Sequence, residues 1–366
     1  MISSQVNHES EALWSPHTAE HTPSPYAAWR QNLSPWYRFR DSDPEVRDSA
    51  PANVAAAYNQ AGGDYVAYAD GDPTHLFAFD GLHAYADRRV WTLLEAKLTD
   101  LHATGASSIS ILDAGCGPGT WLRRLVTRAH ALGFTTITTR GFDVARVQIQ
   151  RARLLARDLC GISGVNLTFD VADLTSELPE ADASVDLTLC LYSVLSHLPV
   201  ASLPKISAEI ARVTSGHFIA TVRPVGSTPT IFVDSIEKAR HFKHDNSRDQ
   251  CEIAFCDGRH IVLSFHLFAA SELRSYFTDH FDIEDLRGLD LFHSRFAPDR
   301  RWNPLSLAID YQLYDELTRL EEIYAKSSGF MERATHLILV ARRRPSAAMN
   351  EPKPNFGRNT HFSRLA

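Results

Sequence analysis

ILDAGCGPGTW, residues 111–121, is the stretch from which the rest of the chain is read. Two aliphatic residues and Asp113 lead into glycines at every second position: Gly115, Gly117 and Gly119. Glycines after a parallel strand let a ligand approach the backbone at the carboxyl edge of a sheet. A dinucleotide fingerprint would place its third glycine three positions after the second, where Thr120 stands. Asp113 would repel a pyrophosphate at close range and suits a ligand that brings an ammonium group. A phosphate loop is excluded, since no GK[ST] follows.

Strand and helix signals alternate around this stretch. SISILDAG, TTITTRGFD, VNLTFDVADL, SVDLTLCLYSVL and GHFIATVRP have strand character. TWLRRLVTRAHAL, closed by Gly133, VARVQIQRARLLARDLC, closed by Gly161, and LPKISAEIARVT have helical character. Upstream, AYADRRVWTLLEAKLTDL places Val90, Leu93, Leu94, Leu98 and Leu101 at helical spacing. Strands separated by helices predict right-handed βαβ units: an α/β, Rossmann-like, doubly wound and mostly parallel seven-stranded sheet with helices on both faces. After Pro224 the pattern predicts a helix over DSIEKARHFKHD, then a hairpin turning at Asp257-Gly258, and then the helix SELRSYFTDHF. The strand DIEDLRGLDLF, the helix LAIDYQLYDELTRLEEIYA and the strand THLILVARRR complete the pattern.

This gives a Pro-, Ser- and His-rich extension over 1–55, its first part disordered, with an aromatic arm at 26–39. A core domain over 56–345 follows, with insertions near 226–265 and 292–326, then a tail over 346–366. At 366 residues and 44% hydrophobic, the chain can bury a large core. A net charge of -7 argues against a general polyanion binder. No basic start leads into an apolar run, and no stretch approaches ~20 apolar residues, so neither a secretory signal nor a membrane span is expected. A cytoplasmic protein is the expectation. Five cysteines are too few for a disulfide scaffold, and Cys251 and Cys256 lack a second pair at ligand spacing, so no metal site is expected.

Two further carboxylates narrow the ligand. Asp143 ends the second strand of the unit, where a carboxylate accepts hydrogen bonds from both ribose hydroxyls. Asp173, in VADL, stands at the tip of the third, within reach of an exocyclic amine; Asp170 competes for that place. The ligand implied is a nucleoside with an amino-acid-like end and no phosphate.

ILDAGCGPGTW, GFDVARVQIQRAR, VADLTSELP, SVDLTLCLYSVLSHL and GHFIATVRP, in this order, resemble class I S-adenosylmethionine-dependent methyltransferases of the small-molecule type. The resemblance spans residues 56–345 and implies S-adenosyl-L-methionine as cofactor. It implies that Asp113, Gly115, Gly117 and Gly119 line the methionine end, that Asp143 holds the ribose, and that Val144 meets the adenine. Asp173 and the Leu174 amide would bond the adenine, and Cys190 and Leu191 would border the cofactor beneath the substrate. Arg88 or Arg89 would supply the cation for the methionine carboxylate.

Transfer from a sulfonium requires an acceptor held in line, exclusion of water and, for some acceptors, removal of a proton. His197, and after it Tyr192, are the candidates at the methyl edge. His266, Arg223 for an acidic acceptor, and Tyr65 and Tyr68 as a lid are the candidates on the substrate side. The expected reaction is methylation of an oxygen or nitrogen of a small metabolite, with no membrane involved. The alternatives are an RNA or tRNA methyltransferase, against which the acidic balance and the missing NPPY-type tetrapeptide speak, and a non-catalytic cofactor-binding scaffold. The arm, with Trp29, Trp36 and Tyr37, would close the pocket or pair two subunits as a homodimer.

Overall fold

A computed structural model describes residues 53–59, 75–79, 83–227, 239–245, 247–256, 258, 260–297, 301 and 311–345. The aromatic arm, Tyr65, Tyr68 and the tail lie outside them. After a helical segment at 53–59, the elements are α1 (Ala84–Ala103), β1 (Ser108–Ala114), α2 (Thr120–Leu132), β2 (Thr136–Asp143), α3 (Arg146–Leu155), α4 (Arg157–Cys160), β3 (Val165–Val171) and β4 (Val185–Cys190). Then come α5 (Leu203–Val213), β5 (Thr214–Val222), β6 (Ala239–Asp245), β7 (Gln250–Phe255), β8 (His260–Ser264), α6 (Ala270–Phe277), β9 (Phe281–Leu289), α7 (His293–Phe296), α8 (Tyr311–Tyr324) and β10 (His336–Arg343).

Seven strands form one sheet in the order β3-β2-β1-β4-β5-β10-β9. The first five are mutually parallel, and β10 runs antiparallel to both β5 and β9. Side-chain alternation in the strands builds two cores. Ile109 and Ile111 of β1 and Ile338 and Val340 of β10 face α1, α2 and α3. Leu112 and Ala114 of β1 and Leu337 and Leu339 of β10 face α5 and α6. Both faces are therefore covered, which explains the near-continuous apolar runs of the strands. β1 has β2 on one side and β4 on the other, so the strand order reverses there and a crevice opens at their carboxyl ends.

A second sheet, β6-β7-β8, is antiparallel throughout. The helix expected over 234–245 is not formed over its described part: 239–245 is strand β6, paired along β7 from Ala239↔Phe255 to Asp245↔Gln250. Edge pairing overrides the local helical preference of a polar, charged segment. Ile253, Phe255, Leu263 and Phe265 of this region pack with Val54 and Ala57 of the 53–59 helix into a third cluster, against which Val144 rests. The strand expected over 184–195 stops at Cys190, because Tyr192 and Ser193 turn to φ 53° and 71°. The helix expected after β2 breaks at Ala156 into α3 and α4. Among the described residues, no helix is long and apolar enough to cross a membrane.

Candidate active site

The crevice opens into a cavity of about 150 Å³ at the tips of β1, β2, β4 and β5. Its floor is the turn after β1. The amides of Gly115 and Cys116 both donate to the Phe142 carbonyl, at 2.8 and 2.9 Å, which ties that turn to the end of β2. Gly115 (φ 75°) and Gly117 (φ 52°) sit in left-handed backbone, and a Cβ on Gly115 would stand 2.3 Å from Val194 Cγ2. Both glycines line the cavity. Gly119 does not. It caps the start of α2 at φ 77°, and a Cβ there would strike the Phe169 ring at 2.7 Å, so it serves helix–strand packing rather than ligand contact.

Asp143 is anchored by its own backbone neighbours. One carboxylate oxygen accepts from the Gly117 amide at 3.0 Å and the other from the Ala145 amide at 2.8 Å. Burial raises its pKa against those two amides. A carboxylate has about four lone-pair sites, so two bonds leave capacity on the cavity side. Asp113 is 1% exposed, and its Oδ2 has no hydrogen-bond partner. Burial, and then the charge of Asp143, push its pKa up to about 7. An orphaned buried carboxylate oxygen on the wall of a cavity fits a ligand that carries an ammonium group.

Val144, Asp173 and Leu174 line the cavity beside Asp143. Asp173 accepts from the Thr175 amide at 2.9 Å. Its rival Asp170 is not on the cavity wall and accepts from Arg140 Nε of β2 at 3.0 Å. Cys190 is fully buried in the core facing α5 and α6 and does not reach the cavity; the next residues, Leu191 and Tyr192, do.

The cavity is also lined by His83 and Asp87 of the α1 region, Trp121 at the start of α2, Tyr192, Arg223 at the tip of β5 and His336 at the start of β10. The Tyr192 ring is stacked 6.0 Å from His83 and 6.1 Å from Trp121, and His336 meets it edge-on at 5.3 Å. Its hydroxyl donates to Asp87, so it is held rather than available as a base. Burial and the nearby Arg223 lower the pKa of His83 to about 4, and burial, Arg223 and His83 lower that of His336. Both histidines are therefore neutral, and among the described residues Arg223 is the single cationic side chain on the cavity wall. It is 4% exposed and donates from Nη1 to the Thr335 carbonyl at 2.9 Å.

Arg88 does not reach the cavity. Its Nη1 donates to the Phe79 carbonyl at 3.1 Å and its guanidinium lies 5.7 Å from the Tyr314 ring centroid. One residue is about 100° around a helix, so with Asp87 facing inward Arg88 is turned away. Arg89 borders a separate cavity of about 70 Å³ between α1 and α8.

His197 lines the cavity, and burial lowers its pKa to about 4. Its Nδ1 lies 3.1 Å from the Ser264 carbonyl, which can only accept, so Nδ1 carries the proton. Nε2 then accepts from the Tyr58 hydroxyl at 3.0 Å. Tyr58 also lines the cavity, and sequence reasoning missed it: nothing in NVAAAYNQ marks that tyrosine, and only the packing of 53–59 on the second sheet delivers it. His266 does not line the cavity; it is buried between Asp249 and Glu272. No group of three or more metal-ligating side chains occurs among the described residues.

Residues 111–216 match the family of methyltransferase domains. No curated protein matches the chain in sequence. Among solved structures the chain is similar to magnesium protoporphyrin IX methyltransferase from Synechocystis PCC 6803 with bound S-adenosylmethionine, at 15% identity and TM-score 0.44, over 84% of this chain and 100% of that one. It is similar to a protein of Pyrococcus horikoshii OT3 at 16% identity and TM-score 0.43, over 77% and 99%. It is similar to geranyl diphosphate C-methyltransferase from Streptomyces coelicolor A3(2) at 14% identity and TM-score 0.40, over 70% and 82%. The match begins at β1 and runs through β4 into β5, and with the glycine turn and the parallel strand order around it, residues 111–216 form a methyltransferase domain.

Proposed function

We propose that the cavity transfers a methyl group from S-adenosylmethionine to an oxygen or nitrogen of a small acceptor bearing an anionic group. When bound, the cofactor supplies a methyl on a positively charged sulfur. Asp113 Oδ2 would take its ammonium, Asp143 its ribose hydroxyls, and Asp173 with the Leu174 amide its adenine. The observation that carries this reading is the buried, unpartnered Asp113 Oδ2 beside Gly115 and Gly117.

Arg223 would hold the acceptor's anion at the end lined by Tyr192, His83 and His336, where both histidines are neutral. Tyr58 and His197 would meet the acceptor from the opposite wall. His197 is neutral at pH 7, but its Nε2 already accepts from Tyr58, so the phenol oxygen rather than the imidazole faces an incoming hydroxyl. Tyr58 would accept the acceptor's hydrogen bond while its own proton stays on the line to His197, which orients the nucleophile.

The test is transfer of labelled methyl from S-adenosylmethionine to a panel of small hydroxy and amino acids, their uncharged analogues, and tRNA. The reading expects label in small anionic acceptors. Label in tRNA alone would contradict it.

A further inference from the structure

His266 is the most heavily engaged histidine outside the cavity. It is 6% exposed, and both ring nitrogens meet carboxylates: Nδ1 to Asp249 Oδ1 and Nε2 to Glu272 Oε1, each at 2.9 Å. An ionised carboxylate can only accept, so both nitrogens donate and the ring is an imidazolium. Burial pushes its pKa down, but the two hydrogen-bonded carboxylates outweigh this and hold it at about 9. The Phe268 ring meets it edge-on at 4.5 Å, and the Tyr276 hydroxyl bonds to Glu272, its pKa raised by burial and by that carboxylate and Asp249.

The three partners belong to three elements. Asp249 sits in the turn between β6 and β7. Glu272 is in the first turn of α6, where its other oxygen accepts from the Ala269 amide at 3.3 Å. The backbone amide of His266 donates at 2.7 Å to the carbonyl of Ser196, the residue before His197. The two residues before His266 link it to the cavity. Ser264 supplies the carbonyl that fixes His197 Nδ1. Phe265 lines the cavity, packs 5.0 Å from the His197 ring, and donates its amide to the Asp249 carbonyl at 2.7 Å.

Without a cation between them, Asp249 and Glu272 would be two carboxylates repelling across a partly buried gap, one on the second sheet and one on the main domain. We infer that His266 is a positioning residue, a charged latch that docks the β6-β7-β8 sheet onto the main domain and thereby sets His197, Phe265 and Tyr58 over the cavity. The inference rests on reading that cavity as the methyl-transfer site.

Calorimetric titration of the full chain with S-adenosylhomocysteine, for wild type, H266Q, E272Q and H266Q/E272Q, tests the latch. H266Q should weaken binding at least fivefold, because a neutral amide leaves the carboxylates opposed. H266Q/E272Q should recover to within about twofold of E272Q, because one charge is gone. A merely structural histidine would show no such rescue. Equal affinity in H266Q and wild type, or no recovery in the double variant, overturns the latch. E272Q keeps the Ala269 cap through its amide oxygen and remains informative if H266Q does not fold. Followed by imidazole nitrogen NMR, His266 should lose its proton at a lower pH in E272Q than in wild type, and an unchanged titration overturns the inference. If wild type binds no S-adenosylhomocysteine, the functional reading fails while the NMR still judges the latch. Wild-type His266 must then be doubly protonated at pH 7.5, and a singly protonated ring refutes it.

Discussion

The two ends of the cavity are built differently. The end proposed for adenosine is backbone work: Gly115, Gly117, Asp143, Asp173 and Leu174 come from three consecutive strand tips within one stretch of chain. The polar atoms there are pinned by neighbouring amides, as Asp143 is by Gly117 and Ala145. The end proposed for the acceptor is side-chain work. Tyr58, His83, Asp87, Tyr192, Arg223 and His336 arrive from five separate places, held by rings packed on rings and by Tyr192 bonded to Asp87. The first design fixes one ligand through local geometry. The second allows a different acceptor with each change of wall residue, which fits the many chemistries one such sheet supports.

If that division holds, substitutions at the two ends should separate. The largest expected effect is at the adenosine end. Asp143→Ala removes the ribose acceptor and should weaken S-adenosylhomocysteine by about 1–3 kcal/mol in calorimetry. Wild-type affinity in that variant breaks the ribose assignment.

Asp113→Asn comes next and is read through pH. With its pKa at about 7 in the folded chain, Asp113 must lose a proton to meet an ammonium. Wild-type affinity should therefore fall by up to tenfold per pH unit below about 7, and the variant should be flat over the same range. Stability moves the other way. The folded chain keeps a proton that the unfolded chain loses near 3.8, so this group's contribution declines as pH rises from about 4 to about 7. Asp113→Asn should accordingly raise the melting temperature above pH 7. A lower one there would contradict the burial argument.

Arg223→Ala sharpens the comparison further. It should abolish turnover of an anionic acceptor and leave S-adenosylhomocysteine affinity within about 0.5 kcal/mol of wild type. A large loss of that affinity would move Arg223 to the methionine carboxylate and merge the two ends. The smallest effect belongs to Arg88→Ala, which should change neither binding nor turnover by more than about 0.5 kcal/mol.

The same division explains what could be read in advance. Glycine spacing, strand-tip carboxylates and βαβ alternation are local patterns, and they locate β1 to β5, Asp113, Asp143 and Asp173 without coordinates. Asp173 and Asp170 look alike in DVADL because a three-residue offset at a strand end is invisible until Arg140 is seen to claim one of them. Arg88 looked suitable by type, but helix phase gives the wall to His83 and Asp87. Gly119 shares the glycine pattern, yet its neighbour is the Phe169 ring, a contact that only folding reveals. Strand β6 was misjudged as helix because its partner, β7, rather than its own composition, makes it a strand. Tyr58 and the bonds of His266 depend on long-range packing and leave no mark in sequence.

The glycine turn after Asp113 is proposed as a cradle for an adenosyl amino acid and not for a pyrophosphate. Calorimetric titration of the wild-type chain with S-adenosylhomocysteine and, separately, with NADH tests it most directly. The former should give single-site heat that strengthens as pH rises through 7, and the latter none. Binding of NADH with no heat from S-adenosylhomocysteine would contradict it.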